Sequence, residues 1–211
     1  MKVDDPKFVL DRFEKYLEGN IFPSRIRQRQ SIEEWKYIET DSDHMLNGAE
    51  KRSFDTSEWQ DYKLYDPWGG YDKVAWFKAG IDVPAAWRNQ ALALRFLPGP
   101  RDGGESTAEA LLYVNEKPVQ GIDIWHEEAI LDEDLRQEAH LDIALKIWSG
   151  VLGVPKHRIF KEAELIILDE KVDQFYYICK TLCEVARTLD QGSLAHIAIK
   201  KALVKAFSEV S

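Results

Sequence analysis

The chain has 211 residues, of which 45% are hydrophobic and 31% are charged, and its formal net charge is −9. This length and composition are typical of a soluble globular protein with one large domain, or one domain with helical attachments. The acidic balance argues against a nucleic-acid partner, because such binding depends on basic clusters. The densest basic stretch carries Arg25, Arg27 and Arg29 and is short, so we interpret it as a solvated connector.

No apolar run approaches the roughly 20 residues that a bilayer-spanning helix needs, so we expect no membrane partner. Acidic residues near the first position are not typical of a secretory signal, which favours a cytoplasmic location. Cys179 and Cys183 are four apart on a predicted helix, where they share a face but are poorly placed for a disulfide. We interpret them as buried small hydrophobic residues rather than as zinc ligands.

The first 58 residues predict short helices followed by a connector. Asp5 and Pro6 suit the cap and the first position of a helix, and Gly19 is its expected stop. Ser31 and Glu34 have capping-box spacing ahead of apolar residues, which predicts a second short helix. A polar loop is expected to follow.

Residues 59–168 predict a β-sandwich, because short apolar runs alternate and are separated by turn residues. These runs are VAWFKAGIDVP, ALALRFLP, EALLYVNEKPVQG, EEAILDEDL, HLDIALKIWSG and ELIILD. In the third run Val114 ends a strand, Asn115, Glu116 and Lys117 form a turn, and Pro118 follows, which predicts a hairpin.

Residues 169–211 predict a helical hairpin. Apolar residues of its first part recur every 3–4 positions, as helical periodicity requires, and the stretch DQGS interrupts them. The residues of the two apolar stripes are Val172, Phe175, Tyr176, Cys179, Leu182, Cys183, Ala186 and Leu189, then Ile199, Leu203, Ala206, Phe207 and Val210.

The stretch YDPWGGYDKVAWFKAGIDVPAAWRNQALALRF and the later LLYVNEKPVQGID resemble the jelly-roll-like, galactose-binding-like modules of multidomain glycosidases. More narrowly, residues from Trp59 to about Ala186 are similar to the N-terminal region of cytosolic-type α-mannosidases of glycoside hydrolase family 38. The chain departs from that family at Glu116, where the hairpin usually has glycine, and this leaves the turn type open.

This resemblance implies a mainly β fold with flanking helices, and a non-catalytic role. In that family a separate α/β barrel carries catalysis, and a barrel needs on the order of 250 residues. The resemblance therefore implies that this chain is inactive and holds no cofactor. It also implies that zinc and the paired carboxylates of retaining α-mannoside hydrolysis lie in a catalytic domain that is absent from this chain. The expected partner is that catalytic domain. Whether the chain also binds an α-mannoside or oligosaccharide, and whether it forms a homo-oligomer, stays open.

The aromatic turn around Trp68 offers the first candidate residues. Sugars stack their apolar faces on aromatic rings while carboxylates bind hydroxyl groups, and Trp68 with Asp66 or Asp72 has this composition. The alternative is that Trp68 packs in a core or a domain interface. For Trp76 the core or interface is favoured, and Trp76 and Phe77 are expected to point to opposite faces of one strand.

Two further motifs contain histidine. Asp123 and His126 follow the hairpin, and we expect them to fix their loop against the neighbouring barrel, near its pocket. His140 and Asp142 echo the family's His-x-Asp zinc motif, but we favour a half-exposed strand, because a catalytic zinc usually has three protein ligands.

Two rival functions belong to other classes. A free-standing carbohydrate-binding module predicts measurable affinity for mannose or mannobiose, lost in Trp68→Ala. A protein-interaction domain predicts no response to sugar and a specific protein partner. The reading frame beyond Ser211 distinguishes the mannosidase region from the carbohydrate-binding module. A continuation with a His-x-Asp motif would favour the mannosidase, and a stop codon would favour the module.

Overall fold

The structure, a computed structural model, describes residues 6–40, 46–99, 108–151 and 157–210. The chain divides into two compact units, one comprising Met1–Arg27 and Leu168–Ser211 and the other Gln28–Ile167. The second unit is a β-sandwich and the first is helical, so the predicted mainly β fold with flanking helices is confirmed. In the described ranges, no helix is long and apolar enough to cross a bilayer.

Twelve strands are described. They are β1 Ile26–Ser31, β2 Trp35–Thr40, β3 Gln60–Tyr62, β4 Pro67–Trp68, β5 Val74–Asp82, β6 Leu92–Leu97, β7 Glu109–Val114, β8 Lys117–Ile122, β9 Glu128–Ile130, β10 His140–Trp148, β11 Arg158–Ile159 and β12 Glu162–Leu168. One sheet has the order β1-β12-β6-β9, a second has the order β3-β2-β5-β10-β7-β8, and β11 pairs with β4. The described helices are α1 Pro6–Tyr16, α2 Phe22–Ser24, α3 Glu133–Gln137, α4 Glu170–Thr188 and α5 Leu194–Val210, with a π-helical turn at Leu17–Ile21.

The core of the sandwich lies between the two larger sheets. Strand β6 sends Leu92, Leu94 and Phe96 into it from one sheet, and Phe77 and Leu145 enter from the other. Each of these side chains is fully buried, and burial of a large apolar side chain contributes roughly 1.5–3 kcal/mol. The alternation of the sequence therefore encodes the facing layers.

Trp76 points away from this core, on the opposite face of β5 from Phe77. It packs with Trp59 and Ala144 in a second buried cluster, to which Leu46 and Phe54 of the connecting loop also contribute. The prediction that Trp76 and Phe77 point to opposite faces is confirmed, and Trp76, for which a core or an interface was favoured, is buried in this second cluster rather than in the core between the sheets. The loop covers this outer face, so neither aromatic side chain reaches solvent.

The predicted second helix is wrong, because the residues after Ser31 form strand β2. Residues 36–40 pair antiparallel with residues 74–78 of β5, and Trp35 is buried in the core. The capping-box spacing is a local signal, and the strand pairing and burial of Trp35 outweigh it. The first two strands thus lie within the stretch that the sequence assigned to helices and a connector.

The predicted hairpin of β7 and β8 is confirmed, but its loop has two residues, Asn115 and Glu116, because Lys117, predicted in the turn, already pairs with Val114 as the first residue of β8. Both loop residues have positive φ, of 47° and 70°, as in a type I′ turn. The Glu116 carboxylate accepts a hydrogen bond of 2.8 Å from the Arg52 amide, and the Asn115 side chain accepts one of 2.9 Å from the Asp142 amide. These bonds hold a glutamate where glycine is sterically easier.

The helical unit has an apolar core of its own, and the predicted hairpin of α4 and α5 is confirmed. Cys179 and Cys183 are buried, free thiols within this core, as predicted. Burial, followed by the nearby charge of Glu14, raises the pKa of the Cys183 thiol to about 12. Gly19 does not end the first helix as predicted, because the chain continues helically to Ser24. The predicted cap at Asp5 lies outside the described residues.

The basic stretch is not a solvated connector, and this interpretation is wrong for Arg25 above all. The Arg25 side chain is buried, lies 2.6 Å from Asp173 and stacks on the ring of Phe22. Arg27 pairs with Asp169 at 2.7 Å. In the sandwich unit Arg29 pairs with Glu164 at 2.9 Å. All three arginines therefore pair with acidic side chains, but of the three only Arg25 is buried.

Candidate functional site

The ring of Trp68 lies in the sandwich core rather than on the surface. Its side chain is 1% exposed, it packs edge-to-face on Phe77 with ring centroids 5.5 Å apart, and its indole N–H donates to the Pro98 carbonyl at 2.9 Å. A sugar needs access to the face of an aromatic ring, so this burial removes Trp68 from the side chains on which a sugar could stack.

The glycine after Trp68 explains why the turn has this composition. Gly69 has φ of +67°, and a Cβ atom there would lie 3.0 Å from the Cβ of Ser149. Its amide donates to the carboxylate of Glu39 at 3.0 Å, and its carbonyl lies 3.0 Å from Nδ1 of His157. A side chain at this position would force these groups apart. The turn is therefore a closely packed structural element.

Asp66 and Asp72 are exposed at the two ends of this turn, and their carboxylates already have partners within the chain. One oxygen of Asp66 accepts a long hydrogen bond, of 3.3 Å, from the Lys63 amide. Oδ1 of Asp72 accepts the indole N–H of Trp148 at 2.8 Å. The structure thus does not bring the two carboxylates to an exposed face of Trp68.

Asp123 organises the loop between β8 and β9. Its Oδ1 accepts the amides of Trp125 at 2.7 Å and His126 at 2.8 Å, and lies 2.9 Å from Nδ1 of His126. Burial, the largest single effect, raises the pKa of the Asp123 carboxyl, but these hydrogen bonds together lower it below its usual value. The two candidates of this loop are therefore brought together, and they fix it internally.

The loop presents Trp125 to solvent. Its side chain is 82% exposed, and the neighbouring Ile124 is also exposed. Trp is enriched among the residues that contribute most to binding at protein interfaces, and a preorganised loop loses little conformational entropy on binding. The sequence points to Asp123 and His126 in this motif, whereas Trp125 is the side chain whose ring is available. Nothing in the local sequence distinguishes it from a buried tryptophan.

His140 and Asp142 do not form a zinc site with the residues around them. Nδ1 of His140 lies 2.6 Å from Asp82, and its Nε2 lies 3.7 Å from Asp142. Asp142 binds the guanidinium of Arg52, and a cation in that place repels a metal ion. Across the described part of the chain, no three His, Cys, Asp or Glu side chains are placed to hold a metal ion. As expected, the pair lies on a half-exposed strand, β10.

A concave surface lies beside the turn, between strands β2, β3 and β5. It encloses about 950 Å³ and its rim carries Tyr65, whose side chain is 67% exposed. The sequence indicates Trp68 for the sugar-stacking position, although Tyr65 stands three residues earlier in the same motif. The positive φ of Tyr65, 74°, is a backbone property that residue types do not reveal.

Residues 34–148 match a family model described as "Alpha-mannosidase, jelly roll domain". Among curated proteins, "Alpha-mannosidase G" of Dictyostelium discoideum is 22% identical over 208 residues, which cover 88% of this chain and 18% of the relative. The chain thus spans about a fifth of the length of the curated relative that it matches.

Solved structures with a similar fold include β-glucuronidases. The enzyme from Ruminococcus gnavus, in complex with uronic deoxynojirimycin, has a TM-score of 0.50 and 15% identity over 68% of this chain and 29% of its own. β-Glucuronidase 2 of Bacteroides uniformis, covalently bound to cyclophellitol-6-carboxylate aziridine, has a TM-score of 0.51 and 17% identity over 66% of this chain and 18% of its own. At these identities the likeness shows the fold alone.

Proposed function

The chain belongs to the family of α-mannosidase jelly-roll domains, and from this premise we propose that it is the non-catalytic N-terminal part of an α-mannosidase. In this proposal it supports a catalytic barrel and shapes access to its pocket. The parent reaction is hydrolysis of terminal α-mannosides in carbohydrate catabolism, and the site of action is the cytoplasm. The match over residues 34–148 carries the proposal.

The burial of the large aromatic side chains is consistent with a structural role. Trp35, Trp68 and Phe77 build the inner core, and Trp59 and Trp76 build the covered outer face. These side chains stabilise the sandwich and cannot reach a ligand, since all are buried. A domain that buries these large aromatic side chains in its own core is closely packed and is suited to serve as a rigid scaffold.

We assign zinc and the catalytic carboxylates to the catalytic domain. The only His-x-Asp pair that echoes a zinc motif in the sequence, His140 with Asp142, is held by Asp82 and Arg52 and does not fit the metal. The residues of the described ranges contribute no step of hydrolysis in this proposal. Their role is to position and stabilise.

The loop of Asp123, Trp125 and His126 is the proposed contact with the catalytic domain. Trp125 would insert between side chains of the barrel, and Asp123 would keep the loop in the binding conformation. Burial of one exposed tryptophan in an interface is typical of a residue that dominates affinity. The exposed ring of Trp125 is therefore the part of this loop that a partner would contact.

Binding to the α-mannosidase catalytic domain encoded in the same genome tests the proposal. We expect the purified chain to form a complex with that domain in analytical ultracentrifugation and to raise its melting temperature. Trp125→Ala should weaken the complex at least tenfold, whereas Tyr71→Ala, which removes another exposed aromatic side chain of the sandwich, should not. A catalytic domain whose stability and sedimentation are indifferent to the chain would contradict the support role.

A further inference from the structure

We propose that the concave surface beside Tyr65 binds a neutral oligosaccharide. It lies within the sandwich unit, encloses about 950 Å³ and is open to solvent. This volume is at the upper end of the range for small-molecule sites. Its charged lining residues are Glu33, Glu34, Asp61, Lys36, Lys63 and Lys78.

Tyr65 provides the stacking surface. Its side chain is 67% exposed, and its backbone has φ of +74°, a conformation that costs a non-glycine residue free energy. Its amide donates to the Phe160 carbonyl at 2.9 Å, and the next amide, of Asp66, donates to the Lys63 carbonyl at 3.0 Å. The fold therefore holds a tyrosine in a strained conformation whose ring contributes little to the core. Strain of this kind concentrates at functional sites.

The buried neighbour Tyr62 fixes the orientation of this turn. Its hydroxyl donates to the Asp66 carbonyl at 2.6 Å and accepts the Phe160 amide at 3.4 Å. The aromatic ring of Tyr62 packs on Phe77 in the core, with centroids 4.9 Å apart. The turn that carries Tyr65 is thus tied through Tyr62 to the core of the sandwich, and a preorganised turn loses little entropy on binding.

The polar groups of the concave surface match a ligand without net charge. Three carboxylates and three ammonium groups line it, so their formal charges cancel. Lys36 and Asp61 already form an ion pair of 2.6 Å. Among the described residues, no hydrogen bond or ion pair engages the side chains of Glu33, Glu34 or Lys63. These groups are therefore available as acceptors and a donor for hydroxyl groups.

A saccharide combines the two properties that this surface selects. A pyranose ring has an apolar face that stacks on an aromatic ring and a rim of hydroxyl groups that bind carboxylates and ammonium groups. A charged ligand would meet carboxylates and ammonium groups in equal number and would gain no net attraction, and an apolar ligand would leave the polar lining without hydrogen bonds. The proposal goes beyond the support role, because it depends neither on Trp125 nor on a catalytic domain.

Titration calorimetry of the purified chain with a neutral α-linked mannotriose tests this assignment. We expect binding in the micromolar to millimolar range, weakened at least tenfold in Tyr65→Gly. The glycine removes the ring and relieves the positive φ, so the melting temperature of this variant should stay equal or rise. Tyr71→Ala, at an exposed tyrosine that does not line the concave surface, should bind as the unaltered chain does.

Three results would overturn the assignment. The first is no heat and no change in tyrosine fluorescence with the mannotriose at tens of millimolar. The second is equal affinity of Tyr65→Gly and the unaltered chain, which would place the ligand elsewhere. The third is tighter binding of a uronic-acid trisaccharide than of the neutral one, which would contradict the argument from charge. Each is separate from complex formation with the catalytic domain, so failure here leaves the support role intact.

Discussion

The hydroxyl of Tyr62 donates a 2.6 Å hydrogen bond to the backbone carbonyl of Asp66, and this bond joins the sandwich core to the exposed turn. The ring of Tyr62 is buried, and this burial raises the pKa of its hydroxyl to about 12. The hydroxyl therefore stays protonated, as a donor must, throughout the neutral and mildly alkaline range. The turn it holds carries Tyr65, so a buried residue controls the geometry of a surface one.

Tyr62→Phe is the variant that isolates this bond. It preserves the ring and its packing on Phe77 but leaves the Asp66 carbonyl and the Phe160 amide without their partner. Loss of hydrogen bonds to a buried hydroxyl costs about 1–3 kcal/mol, so we expect a decrease of this size in the free energy of unfolding in urea. Affinity for mannotriose should fall as well, because the turn loosens. Tyr71→Phe, in an exposed residue, should change neither quantity, and an unchanged stability of Tyr62→Phe would contradict the role of the hydroxyl.

Trp68 and Trp125 provide a matched pair of tryptophans with opposite environments, 1% and 82% exposed. Trp68→Ala should lower the free energy of unfolding by about 3–5 kcal/mol, because it opens a cavity and leaves the Pro98 carbonyl without a donor. Trp125→Ala should change it by less than about 0.5 kcal/mol. Chemical denaturation followed by circular dichroism measures both. A mild effect of Trp68→Ala would mean that the ring is not part of the core.

Gly69→Ala tests the close packing of the aromatic turn. The new Cβ would lie 3.0 Å from Ser149, and the positive φ disfavours alanine, so we expect a loss of about 1–3 kcal/mol in stability. Gly19→Ala is the control, since no atom lies within 4 Å of a Cβ there and alanine favours helical structure. It should be neutral or slightly stabilising. Equal effects of the two substitutions would contradict the packing argument.

The buried thiol of Cys183 makes the stability of the helical unit fall at alkaline pH. Its pKa is 9.0 in a free thiol and about 12 in the fold, so the thiol is almost fully protonated in both states at neutral pH. Between these values the unfolded chain releases a proton that the folded chain keeps, and stability falls by about 1.4 kcal/mol per pH unit. Urea denaturation at a series of pH values should show a shallower fall for Cys183→Ala. If the free energy of unfolding fell equally with pH in both proteins, the pKa of the Cys183 thiol would not be raised by folding.

The sandwich could be predicted because alternating apolar residues encode it directly. Strands β5, β6 and β10 follow their apolar runs closely, and the stripes around Tyr176 and Leu203 encode α4 and α5. Strand β2 could not be predicted in this way, because its pairing with β5 is a contact between distant residues. The capping-box spacing of Ser31 and Glu34 gave a local signal that this pairing outweighs.

The candidate site was predicted only in part, and the reason is burial. The aromatic and glycine-rich composition from Tyr65 to Asp72 indicates a candidate site, but residue types do not show which aromatic ring is exposed. Trp68 is the larger and more suggestive residue, yet its indole N–H finds the Pro98 carbonyl and its ring fills the core. Tyr65 has a positive φ and lies in a turn that the hydroxyl of Tyr62 holds, and both features depend on the folded chain.

We propose that these residues stabilise and position the catalytic domain of an α-mannosidase. The most direct measurement is hydrolysis of p-nitrophenyl α-mannoside by the purified, folded chain with zinc added. If the chain has only this supporting role, we expect no release of nitrophenol above the rate in buffer, with or without zinc, and an unchanged result for His140→Ala. Zinc-dependent hydrolysis that His140→Ala abolishes would contradict it, because the active site would then lie within this chain.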